Sequence, residues 1–263
     1  MNWRTWCSRS LCLLCLSALL GCAPQGTTAH RPVRGGKGAP GLQGAASRLE
    51  ARDSQLQETG ILGTFKNGWS VPYGDWNFAA VVAGMHRVRL DLFDPLAGSI
   101  GTLILNGKTV WWYAPMAGQA YRMPADAAHV ERLLRIPLAP TDLANLLRGL
   151  PLGEDTTWVK WPAESAHVLR SPDQRMRLEF DPDSGMLRRC QRLGRGSRVE
   201  LEVEYSEYRT VKGVALPHHV TIQDPRNSRR AVLNLTEVTP HARLKGDPFT
   251  LELDGSVEVH EWP

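Results

Sequence analysis

Apolar and polar residues alternate with a period of two along much of the chain beyond Ile61. The alternation is regular in residues 87–92, 176–180 and 199–205, where Val, Leu, Met, Phe or Tyr alternate with charged residues. This pattern is typical of strands with one apolar face and one face in water, and it favours antiparallel sheet. Asn106-Gly107 lies between two apolar runs and predicts a tight hairpin. The sequence therefore predicts a mainly β fold of about ten strands.

The period changes to that of helices between Asp126 and Leu150. Leucine and valine recur there three and four positions apart, and Pro137 and Pro140 divide the segment into two short helices. A further short helix is expected over residues 45–58, before the first strand. Because the two helices interrupt the strand pattern midway, the prediction is one curved sheet with a two-helix insert.

The first 21 residues have the features of a removable export signal. Arg4 and Arg9 supply positive charge, and an apolar run follows from Leu11 to Leu20. At roughly ten residues, this run is too short for a membrane helix and is typical of a signal peptide core. Leu19-Leu20-Gly21-Cys22 matches the lipobox pattern of bacterial lipoproteins, in which the cysteine after the cleaved bond carries lipid. An ordinary signal peptide that contains a cysteine is the alternative.

These features divide the chain into a signal peptide (residues 1–21), a lipidated N-terminus with a flexible tether (22–44) and a folded domain (45–263). The tether is rich in Gly, Pro, Ala and Thr and has no apolar face. Ala23 stands where some enteric lipoproteins carry an aspartate as a retention signal, and this favours sorting to the outer membrane. The predicted location is the outer membrane, with a lipid anchor on Cys22 and the domain facing the periplasm.

Charge, cysteine content and motifs argue against several function classes. With 31 basic and 27 acidic residues, the charge is too balanced to indicate nucleic-acid binding. The eight histidines show no metal-ligand spacing, and Gly98-Ser99-Ile100-Gly101 is not a nucleophile elbow. Once the signal is removed and Cys22 is acylated, Cys190 has no cysteine to pair with, so no disulfide is expected. We expect no enzyme activity, no cofactor and no metal.

Four segments of the chain carry a family resemblance. They are Arg-Val-Arg-Leu-Asp-Leu-Phe-Asp-Pro-Leu-Ala-Gly-Ser over 87–99, Leu-Ile-Leu-Asn over 103–106, Leu-Leu-Arg-Ile-Pro-Leu over 133–138 and Leu-Leu-Arg-Gly-Leu-Pro over 146–151. They resemble the LolA/LolB lipoprotein-localisation family, most closely its outer-membrane receptors. The resemblance implies a half-open antiparallel β-barrel of ten or eleven strands, closed by a two-helix lid over an apolar cavity.

The resemblance also implies a function and partners. The family's outer-membrane receptors bind the acyl chains of lipoproteins that a periplasmic carrier of the LolA type hands over. They then insert these lipoproteins into the inner leaflet of the outer membrane. For this chain, the expected partners are therefore lipoprotein acyl chains, a LolA-type carrier and the membrane, which the N-terminal lipid contacts.

The resemblance also implies roles for individual residues. Leu96, in a turn between two strands, is at the position of the family's protruding leucine, which works at the membrane during lipoprotein insertion. The side chains expected to line the cavity lie on the apolar face of the strands: Val88, Leu90, Leu92, Leu103, Leu105 and Trp112. Ordinary core packing is the alternative for each of these six, and a lone exposed leucine is the alternative for Leu96.

The sequence leaves two functional hypotheses open. The first is a lipid-handling receptor, and the second is a non-enzymatic binding or scaffolding lipoprotein of the cell envelope with the same fold and a filled interior. The long C-terminal part, with Lys-Gly-Val-Ala-Leu-Pro over 212–217, is bulkier than in the receptors and resembles uncharacterised lipoproteins of the superfamily. An open apolar pocket under the helices favours the first hypothesis, and a packed interior favours the second.

Overall fold

The computed structural model describes residues 44–67, 75–96, 98–154, 157–160 and 167–262. The predicted signal peptide, Cys22 and all but the last residue of the predicted tether lie outside the described residues. No helix in the described part of the chain is long and apolar enough to cross a membrane.

The described residues form three α-helices and sixteen strands. The helices are α1 (Ala45–Gln55), α2 (Ala127–Leu134) and α3 (Pro140–Leu147). The strands are β1 (Glu58–Asn67), β2 (Trp76–Ala83), β3 (Arg87–Phe93), β4 (Ser99–Asn106), β5 (Thr109–Ala114), β6 (Gln119–Pro124), β7 (Val159–Lys160), β8 (Val168–Arg170), β9 (Met176–Phe180), β10 (Leu187–Leu193), β11 (Val199–Ser206), β12 (Arg209–Val211), β13 (Val214–Leu216), β14 (His219–Asp224), β15 (Arg229–Pro240) and β16 (Glu258–Glu261). The predicted order is confirmed, since two helices interrupt the strands midway.

Fourteen of these strands form one sheet, in the order β16-β6-β5-β4-β3-β2-β1-β15-β14-β11-β10-β9-β8-β7. All neighbours are antiparallel except β16 and β6, which pair in parallel. Among the described strands, the two outer ones do not pair with each other, so the sheet is not closed into a barrel. The prediction of a mainly β fold is confirmed, and the open, largely antiparallel sheet is consistent with the predicted half-open barrel.

The number of strands is larger than the ten or eleven that were predicted. β7, β8, β12 and β13 contain only two or three residues each. So short a segment cannot show an alternation of apolar and polar residues. β12 and β13 form a separate hairpin between β11 and β14, outside the main sheet.

α2 and α3 connect the two ends of the sheet. α2 follows β6, next to one outer strand, and α3 precedes β7, the other outer strand. Asp126 caps α2 by accepting a hydrogen bond from the backbone N–H of His129 (3.0 Å), and Pro140 is the first residue of α3, where its fixed φ angle suits a helix. The apolar residues of both helices share one hydrophobic core with the strands, and the helices therefore cover the inner face of the sheet.

The C-terminal segment covers part of the opposite face. Phe249 is buried there against Val81 and Ile104, which alternate along their strands with residues of the inner core. Arg89 donates a hydrogen bond to the backbone carbonyl of Pro248 (3.2 Å). The segment around Phe249 thus packs against the outer face of the sheet, whereas Val214 and Leu216, in the 212–217 stretch noted in the sequence, are buried in the inner core.

Candidate functional site

An apolar cavity of about 170 Å³ lies between the sheet and the two-helix insert. In the described part of the chain, its lining consists of apolar side chains except for Arg135, the exposed residue that ends α2. The strands contribute Phe65, Trp76, Phe78, Leu90, Leu92, Ile100, Trp112, Ile222 and Leu233. α2, α3 and the residues between them contribute Leu133, Leu134, Arg135, Ile136, Leu138, Leu143, Leu146 and Leu147. The two helices therefore form one wall of the cavity and the sheet forms the other.

The cavity lies toward one edge of the sheet, where 'edge' means the side formed by the ends of the strands rather than an outer strand. Phe65 and Leu92 are near the C-terminal ends of β1 and β3, whereas Trp76 and Ile100 are near the beginnings of β2 and β4. Because neighbouring strands are antiparallel, all four residues lie at the same edge of the sheet. Leu233 is aligned with Phe65 where β15 pairs with β1. This edge also carries the β3–β4 and β5–β6 turns.

Three of the six residues that the sequence assigns to the cavity lie in its lining. They are Leu90 and Leu92 of β3 and Trp112 of β5, two strands that both pair with β4. Their role in binding lipid stays a prediction, because their position does not by itself identify a ligand.

Val88, Leu103 and Leu105 are not among the described residues that line this cavity, and their role in binding lipid stays a prediction. They share the apolar face of β3 and β4, but they are at most 1% exposed and belong to the packed core rather than to the lining of the cavity. Val88 and Leu105 are direct cross-strand partners, and they lie farther from the cavity edge than Leu92 does. Alternation identifies the apolar face of a strand but does not show which part of that face other side chains cover.

Sequence reasoning missed the contributions of β1, β2, β14 and β15. A signal was present in β2, because Trp76 and Phe78 begin an alternation of apolar residues that continues to Val82. Ile222 and Leu233 reach the cavity only because β15 pairs with β1 and with β14. No local pattern reports that long-range pairing.

Two glycines leave room for aromatic rings in the cavity wall. A Cβ atom on Gly101 would lie 2.3 Å from the ring of Trp112, and one on Gly63 would lie 2.8 Å from the ring of Phe78. Both rings therefore lie close against the backbone of a neighbouring strand. Any larger residue at either glycine would displace the ring and change the shape of the cavity.

A buried carboxylate fixes the beginning of α3. The Asp142 side chain is fully buried and accepts hydrogen bonds from the backbone N–H groups of Ala139 (2.6 Å) and Gly153 (2.7 Å). It also forms an ion pair with Arg192 of β10, and this arginine donates to the carbonyl of Pro137 (3.0 Å) as well. These contacts tie α3 to the sheet and to the chain on both sides of the helix.

A buried guanidinium fixes the other end of α3. Arg148, directly after α3, has a fully buried side chain that donates to Asp53 of α1 (2.5 Å) and to the side chain of Asn145 (2.7 Å). Burial lowers the pKa of Arg148, and the carboxylate of Asp53 acts in the opposite direction. Arg52 adds a hydrogen bond from α1 to the carbonyl of Gly149 (3.0 Å). α1 thus supports the wall of the cavity without lining it.

α2 is held by apolar contacts and by interactions near the surface. Val130 is its one buried residue. The guanidinium of Arg132 lies 4.0 Å from the centre of the Trp262 ring, and Arg229 donates to the backbone carbonyl of Arg135 (2.9 Å) in an exposed position. Because buried charges anchor α3 while surface contacts hold α2, α2 is the less firmly attached wall of the cavity.

The reactivity of the Cys190 thiol, on β10, reports how tightly the interior is packed. Its thiol is fully buried, accepts a hydrogen bond from the backbone N–H of Leu152 (3.5 Å), and has a pKa that burial raises to about 12. Since the thiolate is the reactive form, we expect iodoacetamide not to modify Cys190 in the folded protein at mildly alkaline pH. Unfolding in urea should expose the thiol and lead to rapid modification, measured by mass spectrometry of the peptide that contains Cys190. Rapid modification without urea would contradict the burial.

Leu96 lies in the β3–β4 turn and is 94% exposed. The turn is organised by Asp94, whose Oδ1 accepts hydrogen bonds from the backbone N–H groups of Leu96 and Gly98, both at 2.8 Å. A Cβ atom on Gly98 would lie 2.4 Å from Oδ2 of Asp94, so the carboxylate fits only beside a glycine. Pro95 predicts the turn from the sequence, but the part played by the Asp94 carboxylate becomes visible only in the structure.

Proteins with a similar architecture are found among solved structures but not by sequence comparison. No protein-family model and no curated protein matches the sequence. Among solved structures, a LolA superfamily protein from Nitrosomonas europaea is 13% identical over 76% of this chain and 94% of its own, with a TM-score of 0.51. A domain described as an outer membrane lipoprotein-sorting protein, from Vibrio parahaemolyticus, is 10% identical over 80% of this chain and 95% of its own, with a TM-score of 0.54.

The chain has the LolA-type fold. A DUF1329 family protein from Desulfovibrio piger is also similar, with 12% identity over 80% of this chain and 97% of its own and a TM-score of 0.56. At these identities the likeness concerns the fold alone. It confirms, at the level of the fold, the resemblance that four segments of the sequence carry. In the LolA-type fold of this chain, the cavity lies between the open sheet and the helices that connect its two ends.

Proposed function

We propose that this protein binds the acyl chains of lipoproteins in the cavity and inserts these lipoproteins into the inner leaflet of the outer membrane. The observation that carries the proposal is the lining, which among the described residues is apolar except for Arg135 at the exposed end of α2. Such a lining binds by removing apolar surface from water, at about 0.8 kcal/mol for each buried methylene. The proposed role is therefore binding and transfer rather than catalysis. A scaffolding protein with a filled interior is less well supported, because a cavity is present.

The size of the cavity determines how much of an acyl chain it accommodates. Its volume of about 170 Å³ is close to that of an apolar cavity of roughly 150 Å³ that binds benzene. It is smaller than the roughly 300–1,000 Å³ that pockets for larger ligands occupy. In the proposed mechanism, α2 moves away from the sheet to admit the rest of a long chain, while Asp142 and Arg148 keep α3 in place.

The proposed location depends on the N-terminal sequence. The lipobox at Cys22 supports a lipid anchor in the outer membrane, and residues 23–44 would connect this anchor to a domain that faces the periplasm. The proposed partners are lipoprotein acyl chains and a periplasmic carrier of the LolA type. The membrane itself is contacted by the N-terminal lipid and, during delivery, by Leu96.

Leu96→Glu is expected to impair the delivery of lipoproteins to vesicles about tenfold, because an inserted leucine contributes on the order of 1.5–3 kcal/mol. Since Leu96 is 94% exposed, the free energy of unfolding should change by less than about 0.5 kcal/mol. Acyl-chain binding should also persist. The measurement is transfer of a fluorescent lipoprotein from a LolA-type carrier to vesicles, together with urea unfolding of the variant.

Leu96→Met is the matched control, because it keeps an apolar side chain at the tip and should keep delivery. Unchanged delivery by Leu96→Glu would show that the turn is idle. A large loss of stability in the same variant would instead show that Leu96 is a core residue.

A further inference from the structure

Two turns of the sheet share a sequence pattern. Residues 95–98 read Pro-Leu-Ala-Gly and follow β3, and residues 115–118 read Pro-Met-Ala-Gly and follow β5. Each turn therefore has one large apolar residue between a proline and two small residues. In both turns the proline directly precedes the large residue, and its ring limits the conformations of the backbone there.

Both turns present that apolar residue to water. Leu96 is 94% exposed and Met116 is 91% exposed, whereas the other two large apolar residues exposed in the described part of the chain, Val159 and Val259, are 36% and 49% exposed. Single exposed apolar residues are common on protein surfaces. Leu96 and Met116 differ from such single residues, because both are almost fully exposed and both lie in turns of the same sequence pattern.

The two turns lie at the same edge of the sheet. β3 and β5 are both antiparallel to β4, so their C-terminal ends point in the same direction. Two strand spacings separate them, which places the turns about 10 Å apart across the sheet. The cavity lies at this edge too, because Ile100 and Leu92 of its lining are close to the β3–β4 turn.

We propose that Leu96 and Met116 together form a two-point contact with the lipid bilayer that sets the orientation of the cavity. This inference rests on the proposed function, in which acyl chains move between the cavity and a membrane. One inserted side chain leaves the domain free to rotate about the point of contact. Two side chains about 10 Å apart on one rigid sheet edge hold that edge, and with it the cavity, against the bilayer surface.

A bilayer fits this edge better than a protein partner does. Stable protein interfaces bury roughly 1,200–2,000 Å² in total, much more than two isolated turn tips provide. Neither tip carries an unsatisfied charge, since the residues at 115–118 are uncharged and Asp94 is bonded to the backbone of its own turn. The predicted tether of 22 residues (23–44) has a root-mean-square length of roughly 25 Å, which keeps the domain close to a membrane that holds Cys22.

The test uses an environment-sensitive fluorophore at single cysteines. Leu96→Cys, Met116→Cys and Lys108→Cys are produced with the N-terminal signal in a bacterial host, labelled with NBD and reconstituted into vesicles of phosphatidylethanolamine and phosphatidylglycerol. Lys108 is an exposed residue of the β4–β5 turn, at the opposite edge of the sheet, and provides the matched control. The buried thiol of Cys190 does not compete for the label.

We expect the emission of the labels at 96 and 116 to shift to the blue in vesicles, and their quenching by aqueous iodide to fall severalfold. The label at 108 should stay quenched. A label at 116 that remains as accessible as the label at 108 would overturn the two-point contact. Binding of a fluorescent fatty acid by the unmodified protein is measured separately. Its absence would overturn the proposed function, whereas its presence with an accessible label at 116 would overturn only the present inference.

Discussion

Asp53→Ala is expected to lower the free energy of unfolding by about 3–5 kcal/mol, the range for a buried charge that loses its partner. Asp53 is itself 40% exposed, so its position on the surface of α1 does not suggest so large an effect. The reason is Arg148, whose side chain is fully buried and donates to Asp53 at 2.5 Å. Without the carboxylate, the positive charge stays in the interior with only neutral acceptors. Urea unfolding of the variant and of the unmodified protein measures the difference.

Asp75→Ala is a closely matched control. Asp75 is 45% exposed and pairs with Lys66 at 2.6 Å, but this lysine is itself 55% exposed. An ion pair between exposed side chains contributes about 0–1 kcal/mol, so the control should cost less than about 1 kcal/mol. Equal losses in the two variants would contradict the interpretation that the buried charge of Arg148 determines the effect.

Leu90→Trp is expected to weaken acyl-chain binding about tenfold or more. Leu90 lines the cavity, and a tryptophan there would occupy space that is otherwise available to the ligand. Excluding two methylenes of the chain would remove about 1.6 kcal/mol of binding free energy, which is more than a factor of ten in affinity. The destabilisation from overpacking should stay within about 1–3 kcal/mol, so the protein remains folded. A fluorescent fatty acid titrated into the purified variant gives the affinity.

Leu105→Trp separates loss of binding from loss of folding. Leu105 lies on the same apolar face, in the packed core, and does not line the cavity. This variant should lose stability, because a filled core has no space for a larger ring. The molecules that stay folded should bind the fatty acid normally. If Leu90→Trp reduced stability and binding to the same extent as Leu105→Trp, position 90 would be ordinary core.

Local patterns of the sequence were sufficient to predict most of the fold. The Asn106-Gly107 hairpin lies where it was predicted, between β4 and β5, and Gly107 has the positive φ of 62° that this turn requires. The two-helix insert also agrees with the change of period after Asp126. In these places the hydrogen bonds and the apolar contacts involve residues that are close in the sequence.

Long-range pairing determines the remaining features. Phe65 and Leu233 line one cavity because β1 pairs with β15, and no repeat in the sequence connects those two strands. Asp53 and Arg148 are 95 positions apart, and each is unremarkable as a charged residue until the two helices bring them together. Val88 illustrates the same limit, since its apolar face was predicted but its place in the packed part of that face depends on other elements.

A binding titration tests most directly the claim that the cavity under α2 and α3 binds acyl chains. A fatty acid with a dansyl group is added to the purified, detergent-free protein, and its emission is followed as a function of concentration. We predict saturable binding with a blue-shifted emission, displacement by unlabelled long-chain fatty acid, and weaker binding by Leu90→Trp. The absence of saturable binding, or binding that long-chain fatty acid does not displace, would contradict the claim.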